Sequence, residues 1–404
     1  MDILILDDQI RPIDIVDEYI SLIWTERWDE MGDFQLVTLS TPSNRNRFLP
    51  DVQICIPQSR HIMVVETVEE KIDVENGSVL NIKGRDLLCV TEKRLAVSKH
   101  PTTHEILPVW AHYGFSPKDL ILRKMKAICF ASDIDSDDNI PYLQDPELEE
   151  SLYPADTIPE PSPGGIEWAQ KPMSLYAAIK EIADAYDLGF RLYRNPSESK
   201  LYFNVSVGSD RTSAQTTLPP IIFSQDMANL IDTTELIDYS KHYNVVQVIY
   251  FHKDAFDNDV TTSVIVEAPE IAFSTGGFQR KVKLLSVTQI PDAVADVEAY
   301  LTQLGNEELI KSRPIDVYDG EVAKNATYVY ERDYYLGDLL EVRGTNGGTA
   351  YMRVVEQIFK NDSTGESAYP SLVTKTSITP GTWASWKYDI EWSAMGSDQF
   401  WNNQ

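Results

Sequence analysis

Residues 19–36 read YISLIWTERWDEMGDFQL, an apolar run, a charged break at Asp29 and Glu30, and a second apolar run entered through Gly32 and Asp33. Two such runs across a turn-prone break predict a strand, a turn and a strand. The same language continues outward in ILIL near the N-terminus, then in QICIP, IMVVETVEEKID and SVLNIKGRDLLCV as far as Val97. Ile62, Val64 and the stretch 67–71 alternate in part, so one face is buried and the other wet. Glu75, Asn76 and Gly77 supply a hairpin turn before Val79. Short strands at this spacing predict a small antiparallel barrel or sandwich over residues 1–98.

Residues 99–170 change character. The run ASDIDSDDNIPYLQDPELEESLYPADTIPEPSPGG is rich in acid and proline, which oppose packing, and predicts an exposed connection with short helices. From Met173 to Tyr186, Leu175, Ala178, Ile179, Ile182 and Tyr186 fall on one helical stripe, with Gly189 as a stop. GFRLYRN and KLYFNVSVG then read as a hairpin turning at Asn195 to Ser197, which makes residues 171–217 a small α+β insert. Strand language returns over 218–375, interrupted by a helix from Asp292 to about Lys311 on Val294, Val297, Leu301 and Leu304. Residues 345–348, TNGG, read as a hairpin turn there. The extension 376–404 carries Trp383, Trp386, Trp392 and Trp401, half of the eight tryptophans, and needs a partner surface or an intramolecular groove. The fold class is mainly β with an α+β insert.

With 404 residues, two to four domains are expected, and 43% hydrophobic residues are enough to fill their cores. No apolar run approaches a membrane span, and the acidic N-terminus lacks a signal peptide's basic residues, which predicts a soluble chain made in a cytoplasm. A net charge of −28 opposes any grip on nucleic-acid phosphates, although a channel lined with acid would let a polyanion slide. Cys55, Cys89 and Cys129 are an odd count in apolar settings and read as buried thiols.

Chemistry is sparse. Asp133, Asp135, Asp137 and Asp138 have the carboxylate spacing that opens a calcium loop, but Asp138 stands where Gly is needed and Gln144 where a bidentate Glu belongs. His61, His100, His104, His112, His242 and His252 form no zinc motif, and no nucleophile or phosphate-loop signature is present. No catalytic site, metal or cofactor is therefore expected.

Three phrases then carry a resemblance. Residues 19–36 are similar to the run SLIWTxRYxxxGDFEL that opens a group of phage tail proteins. Residues 207–230, VGSDRTSAQTTLPPIIFSQDMANL, resemble the group's GxDRS…NPxVIFSxxxxNL phrase. YYLGDLLEVRG followed by YMRVVEQIFKNDSTGESAYPSL looks like its closing segment. The group is the siphophage tail hub family, with a fold resembling the baseplate hub of contractile tails. The resemblance implies two β-barrels per subunit and a homotrimeric, pseudo-sixfold ring at the tail tip, adapting the hexameric tube and forming part of the DNA conduit. Implied partners are the distal tail protein or tube ring, the tape-measure protein, tip or central fibre and receptor-binding proteins, and DNA passing without sequence-specific binding. Gly32, Asp33, Gly337 and Asp338 are expected to build structural turns, Arg280 either an inter-domain or inter-subunit ion pair or a solvated charge, and the four C-terminal tryptophans a docking site for further subunits. The alternatives are a carbohydrate-binding adhesion module that stacks glycans on those tryptophans, and a hydrolase with a carboxylate pair.

Overall fold

The computed structural model describes residues 1–73, 77–99, 105–130, 132, 136–147, 154–160, 165–224, 226–253, 258–268, 276–290, 294, 296–312, 315–322, 328–343 and 349–374. The first region holds β1 (Ile3–Leu6), β2 (Pro12–Val16), β3 (Ser21–Arg27), β4 (Asp33–Leu39), α1 (Pro42–Arg47), β5 (Gln53–Cys55), β6 (Met63–Asp73) and β7 (Gly77–Asp86). A middle region follows with α2 (Cys89–Glu92), β8 (Leu95–Ala96), β9 (Trp110–Phe115), α3 (Pro117–Met125), β10 (Ile166–Gln170), β11 (Met173–Ser174), α4 (Leu175–Tyr186), β12 (Gly189–Asn195) and β13 (Lys200–Ser206). The last region holds β14 (Ile222–Ser224), β15 (Leu230–Asp238), β16 (Val245–Lys253), β17 (Asp259–Glu267), β18 (Val282–Val287), α5 (Val297–Lys311), β19 (Ile315–Val322), β20 (Leu339–Arg343), β21 (Thr349–Asp362) and β22 (Gly365–Thr374).

The two strand-rich regions share one sheet. Its order is β15-β19-β22-β21-β3-β4-β7-β6-β5-β1-β2, with β20 and β14 branching from β21. The described strands follow an open path and close no barrel, which corrects the expectation of two small barrels. The physical reason lies in β21, which is 14 residues long. Its first part, Thr349 to Arg353, pairs with β20, and its second, Glu356 to Asn361, pairs with β3. A register shift between Val354 and Glu356 against β22 marks the change of partner. One core consequently draws on both regions, packing Leu22, Trp24, Phe34 and Ile82 with Phe223, Leu340, Val354 and Phe359.

The stretch 99–170 is not simply exposed. Ser116 caps α3 by accepting from the Asp119 amide at 3.1 Å, and Pro117 occupies the first turn, where its missing donor costs nothing. Leu120, Ile121, Met125, Ile128 and Cys129 are buried beside Ile179 and Ile182 of α4. The acid and proline that dominate the average composition hide this apolar stripe. Nearby carboxylates are matched locally, Lys126 pairing with Asp145 at 2.7 Å and Glu147 at 2.8 Å.

Helix α4 begins after Ser174, whose hydroxyl accepts from the Ala177 amide. It ends at Asp187, in left-handed backbone with φ 54°, two residues before the expected glycine stop. Helix α5 starts five residues later than the apolar spacing implied, at the point where the Asp296 side chain caps it. It covers one face of a separate three-stranded sheet, β17-β16-β18, through Leu301 and Leu309 on Val246, Val248 and Val266. The turn 345–348 lies outside the described residues, as do Glu75 and Asn76 of the first hairpin.

Candidate functional site: a buried seam joining the regions

Trp28 follows β3 and lies where all three regions meet. Its amide donates to the Val355 carbonyl at 2.8 Å, and its carbonyl accepts from Phe190 at 3.1 Å. The indole is pressed against two glycines from different regions. A Cβ on Gly189 would lie 2.3 Å from the ring, and one on Gly337 1.9 Å from it. Only hydrogen fits there. Two guanidinium groups sit near the same ring, with Arg353 at 5.1 Å and Arg191 at 5.9 Å from its centroid.

Arg353 is buried, yet its charge is well used. It donates to the carbonyls of Val207 and Gly337 at 2.8 and 2.6 Å and to the Asp187 carboxylate at 3.1 Å. One side chain of β21 thus ties down the end of β13, the turn before β20 and the end of α4. Asp338 completes the knot by accepting from the Ser209 and Tyr335 amides, each at 3.0 Å. Burial pushes its carboxyl up to about 6, with Arg211 at 3.6 Å opposing that rise.

A second polar cluster joins β3 to the loop before β20. Glu26 is fully buried and accepts from Tyr330 Oη at 2.8 Å and Trp24 Nε1 at 3.3 Å. Tyr334 donates to Gln357 on β21 at 2.9 Å. His61 lies between two carboxylates, 3.7 Å from Glu26 and 4.0 Å from Asp86. Burial lowers its pKa to about 4, so at neutral pH the imidazole is uncharged and these spacings are not ion pairs. Asp86 accepts from the Gly32 and Leu88 amides at 2.7 and 2.9 Å, and burial pushes it up to about 7.

Ser59, His61 and Asp86 have the composition of a hydrolytic triad without its geometry. Neither ring nitrogen of His61 has a hydrogen-bond partner among the described residues, and Ser59 Oγ accepts from the His61 backbone. A cavity of about 560 Å³ opens elsewhere, between α4 and α5, beside Tyr186, Asp296, Glu298, Gln303 and Glu307. Glu307 is buried there, accepting from Tyr186 Oη at 2.9 Å and Gln303 Nε2 at 2.8 Å. Burial raises its pKa to about 7.

The residues singled out from sequence fall as follows. Gly337 has φ 90°, and Asp338 binds backbone amides beside it. Gly32 lacks a left-handed φ, and its close neighbour is the Thr25 carbonyl, 2.5 Å from where a Cβ would stand. Asp33 pairs with Arg27 at 2.6 Å, and the backbone-binding carboxylate at this turn is Asp86. Arg280 pairs within the chain, with Glu267 at 2.7 Å. Asp133, Asp135, His100, His104, Trp383, Trp386, Trp392 and Trp401 lie outside the described residues, while Asp138 pairs with Arg94. Among the described residues no carboxylate, histidine and cysteine group could hold a metal, and no helix is long and apolar enough to cross a membrane. Cys55, Cys89 and Cys129 are free and buried, their thiols raised to about 11, 12 and 12 by burial. A thiol reagent is expected to label none of them in the folded chain and all three in denaturant. Rapid labelling without denaturant would contradict this packing.

This fold is that of phage tail proteins. The prophage tail protein gp18 of Listeria monocytogenes EGD-e matches with a TM-score of 0.50 and 11% identity, over 94% of this chain and 96% of that one. A tail protein of Neisseria meningitidis MC58 gives 0.52 and 12% over 94% and 98%, and the 43 kDa tail protein of prophage MuSo2 from Shewanella oneidensis gives 0.51 and 12% over 93% and 98%. No curated protein matches by sequence. Residues 2–369 match the family described as Siphovirus ReqiPepy6 Gp37-like protein, and the chain belongs to that family.

Proposed function

We propose that the chain is a hub subunit at the tail tip, assembling as a homotrimer that matches a sixfold tail tube to a threefold tip and forms part of the DNA conduit. The observation that supports this best is the pairing of β3 with β21. It fixes two strand-rich regions of one subunit in a single sheet, so three subunits would set six such regions around one axis. Its work is assembly, without catalysis. A charge of −28 suits a wall past which DNA slides without sequence-specific binding. The neighbours in this reading are the distal tail protein or tube ring, the tape-measure protein, and fibre or receptor-binding proteins.

Light scattering of the purified chain is expected to give three times 45.8 kDa, with association weakening at low salt as the acidic subunits repel. A mass of one chain at every concentration and salt would count against self-assembly of the ring.

A further inference from the structure

Among the described residues, β9 and β10 pair only with each other, so no third strand holds this ribbon in place. Two strands alone are marginal in water, and the ribbon depends on what its inner face covers. Register sets Trp168 opposite His112 and Gln170 opposite Trp110, which puts all four on one face. Trp168 is buried with the apolar stripe of α3 and α4, and Trp110 packs against the same stripe. At the other end Gly114 and Gly165, with φ 76° and 75°, bring their backbones together just before the Ser116 cap of α3. A pair of residues in left-handed backbone is a point about which the ribbon can swing.

Beneath this cover lies a lysine. Lys124 of α3 is 0% exposed, and its nitrogen sits 4.1 Å from the centroid of the Trp110 ring, with no hydrogen-bond acceptor among the described residues. His112 Nε2 and Trp168 Nε1 are likewise buried there without a hydrogen-bond partner among the described residues. Two titratable groups from packed elements face Lys124, Glu181 from α4 and His112 from β9, while β13 adds only the apolar Leu201, Phe203 and Val205. Glu181 is engaged by Gln170 Nε2 at 3.1 Å, and Arg123, also on α3, stands 4.3 Å from the Phe115 ring. Burial outweighs Glu181 and lowers the Lys124 pKa to about 7, and burial, with Lys124 and Arg123 adding to it, holds His112 at about 4. An uncharged amine can stay under an aromatic ring. An ammonium without an acceptor regains its water only if the ribbon lifts.

We propose that the β9-β10 ribbon is a proton-sensitive lid on α3, closed over the neutral amine of Lys124 and lifted when that amine takes up a proton. The inference is independent of the hub reading. In the open form the amine keeps its proton up to about 10.5. Below about 7 both forms carry the proton and opening is commonest; from there to about 10.5 only the open form does, so opening becomes rarer as pH rises. His112 adds a further increase in opening as pH falls from about 6.5 toward 4.

Amide hydrogen exchange of the full chain, corrected for the intrinsic rate at each pH, tests this. The ribbon should exchange about tenfold or more faster than β12 and β13, marking an opening short of unfolding, and its protection should rise about eightfold between pH 7.5 and 8.5. Lys124→Met takes up no proton, and its ribbon should be equally protected at both pH values. Lys124→Arg is charged throughout, and its ribbon should exchange fast at both. Equal protection at the two pH values in the parent would overturn the proposal, whether or not either variant folds. So would a rise that survives in Lys124→Met, or a ribbon that exchanges no faster than β12 and β13.

Discussion

Replacing Gly337 with alanine is expected to cost the fold about 2–5 kcal/mol, about 1–2 for a side chain in left-handed backbone and about 1–3 for forcing a methyl into a packed core. The backbone there has φ 90°, and the new carbon would overlap the Trp28 indole. Against a total stability of about 5–15 kcal/mol this is a large fraction. Gly77→Ala is the control, because its φ is 82° but no atom lies within 4 Å of the added carbon. Only the smaller backbone cost of about 1–2 kcal/mol applies to it. Urea unfolding of both variants reads the difference. Equal losses would mean that the ring does not press on Gly337 as the structure has it.

That contrast also explains what could be read from sequence. The strand pair around residues 19–36, the stripe of α4 and the hairpin of β12 and β13 are local patterns, and each names its own element. Partners across the sheet are not local. Nothing in the spacing of YMRVVEQIFKND says that one strand changes from β20 to β3 halfway along, so the two regions read as two closed units. Trp28 sits inside the stretch that opened the reading, yet its role depends on Gly189 and Gly337, which are 161 and 309 residues later. Nothing in the sequence marks Arg353, and only burial against three acceptors reveals its use. The acidic stretch misled in the other direction, since mean composition outweighed the apolar spacing of Leu120, Ile121, Met125 and Ile128.

Two buried acids of the seam and one between α4 and α5 share an energetic consequence. Asp86, Asp338 and Glu307 each accept hydrogen bonds that favour the ionised form, yet burial dominates and raises all three. Such groups specify which segments meet more than they add to stability. At Asp338 the specified partners are the Ser209 and Tyr335 amides, and at Glu307 they are α4 and α5. His61 and His112 work in the opposite sense. Both are held neutral, at about 4, so their contribution is lost as pH falls from about 6.5 toward 4. The whole chain's pH curve is therefore a sum of opposed terms, and a single site must be isolated to see either.

Glu307→Gln isolates one. In the unfolded chain this carboxyl ionises near 4.5, whereas in the fold it keeps its proton to about 7. Its folded pKa is raised, so the stability it offers is full at low pH and is lost as pH rises from about 4.5 through about 7. The neighbours act as smaller corrections, Lys311 lowering the value and Glu181 raising it. Glutamine keeps an oxygen to accept from Tyr186 and Gln303 and never ionises. The variant should match the parent near pH 4 and exceed it at pH 8 by about 3 kcal/mol, since each tenfold difference in proton affinity between the folded and unfolded chain is worth about 1.4 kcal/mol. Denaturant unfolding at the two pH values measures this directly. A difference of the same size at both would show that the substitution acts through packing between α4 and α5, and that ionisation of Glu307 does not strain the fold.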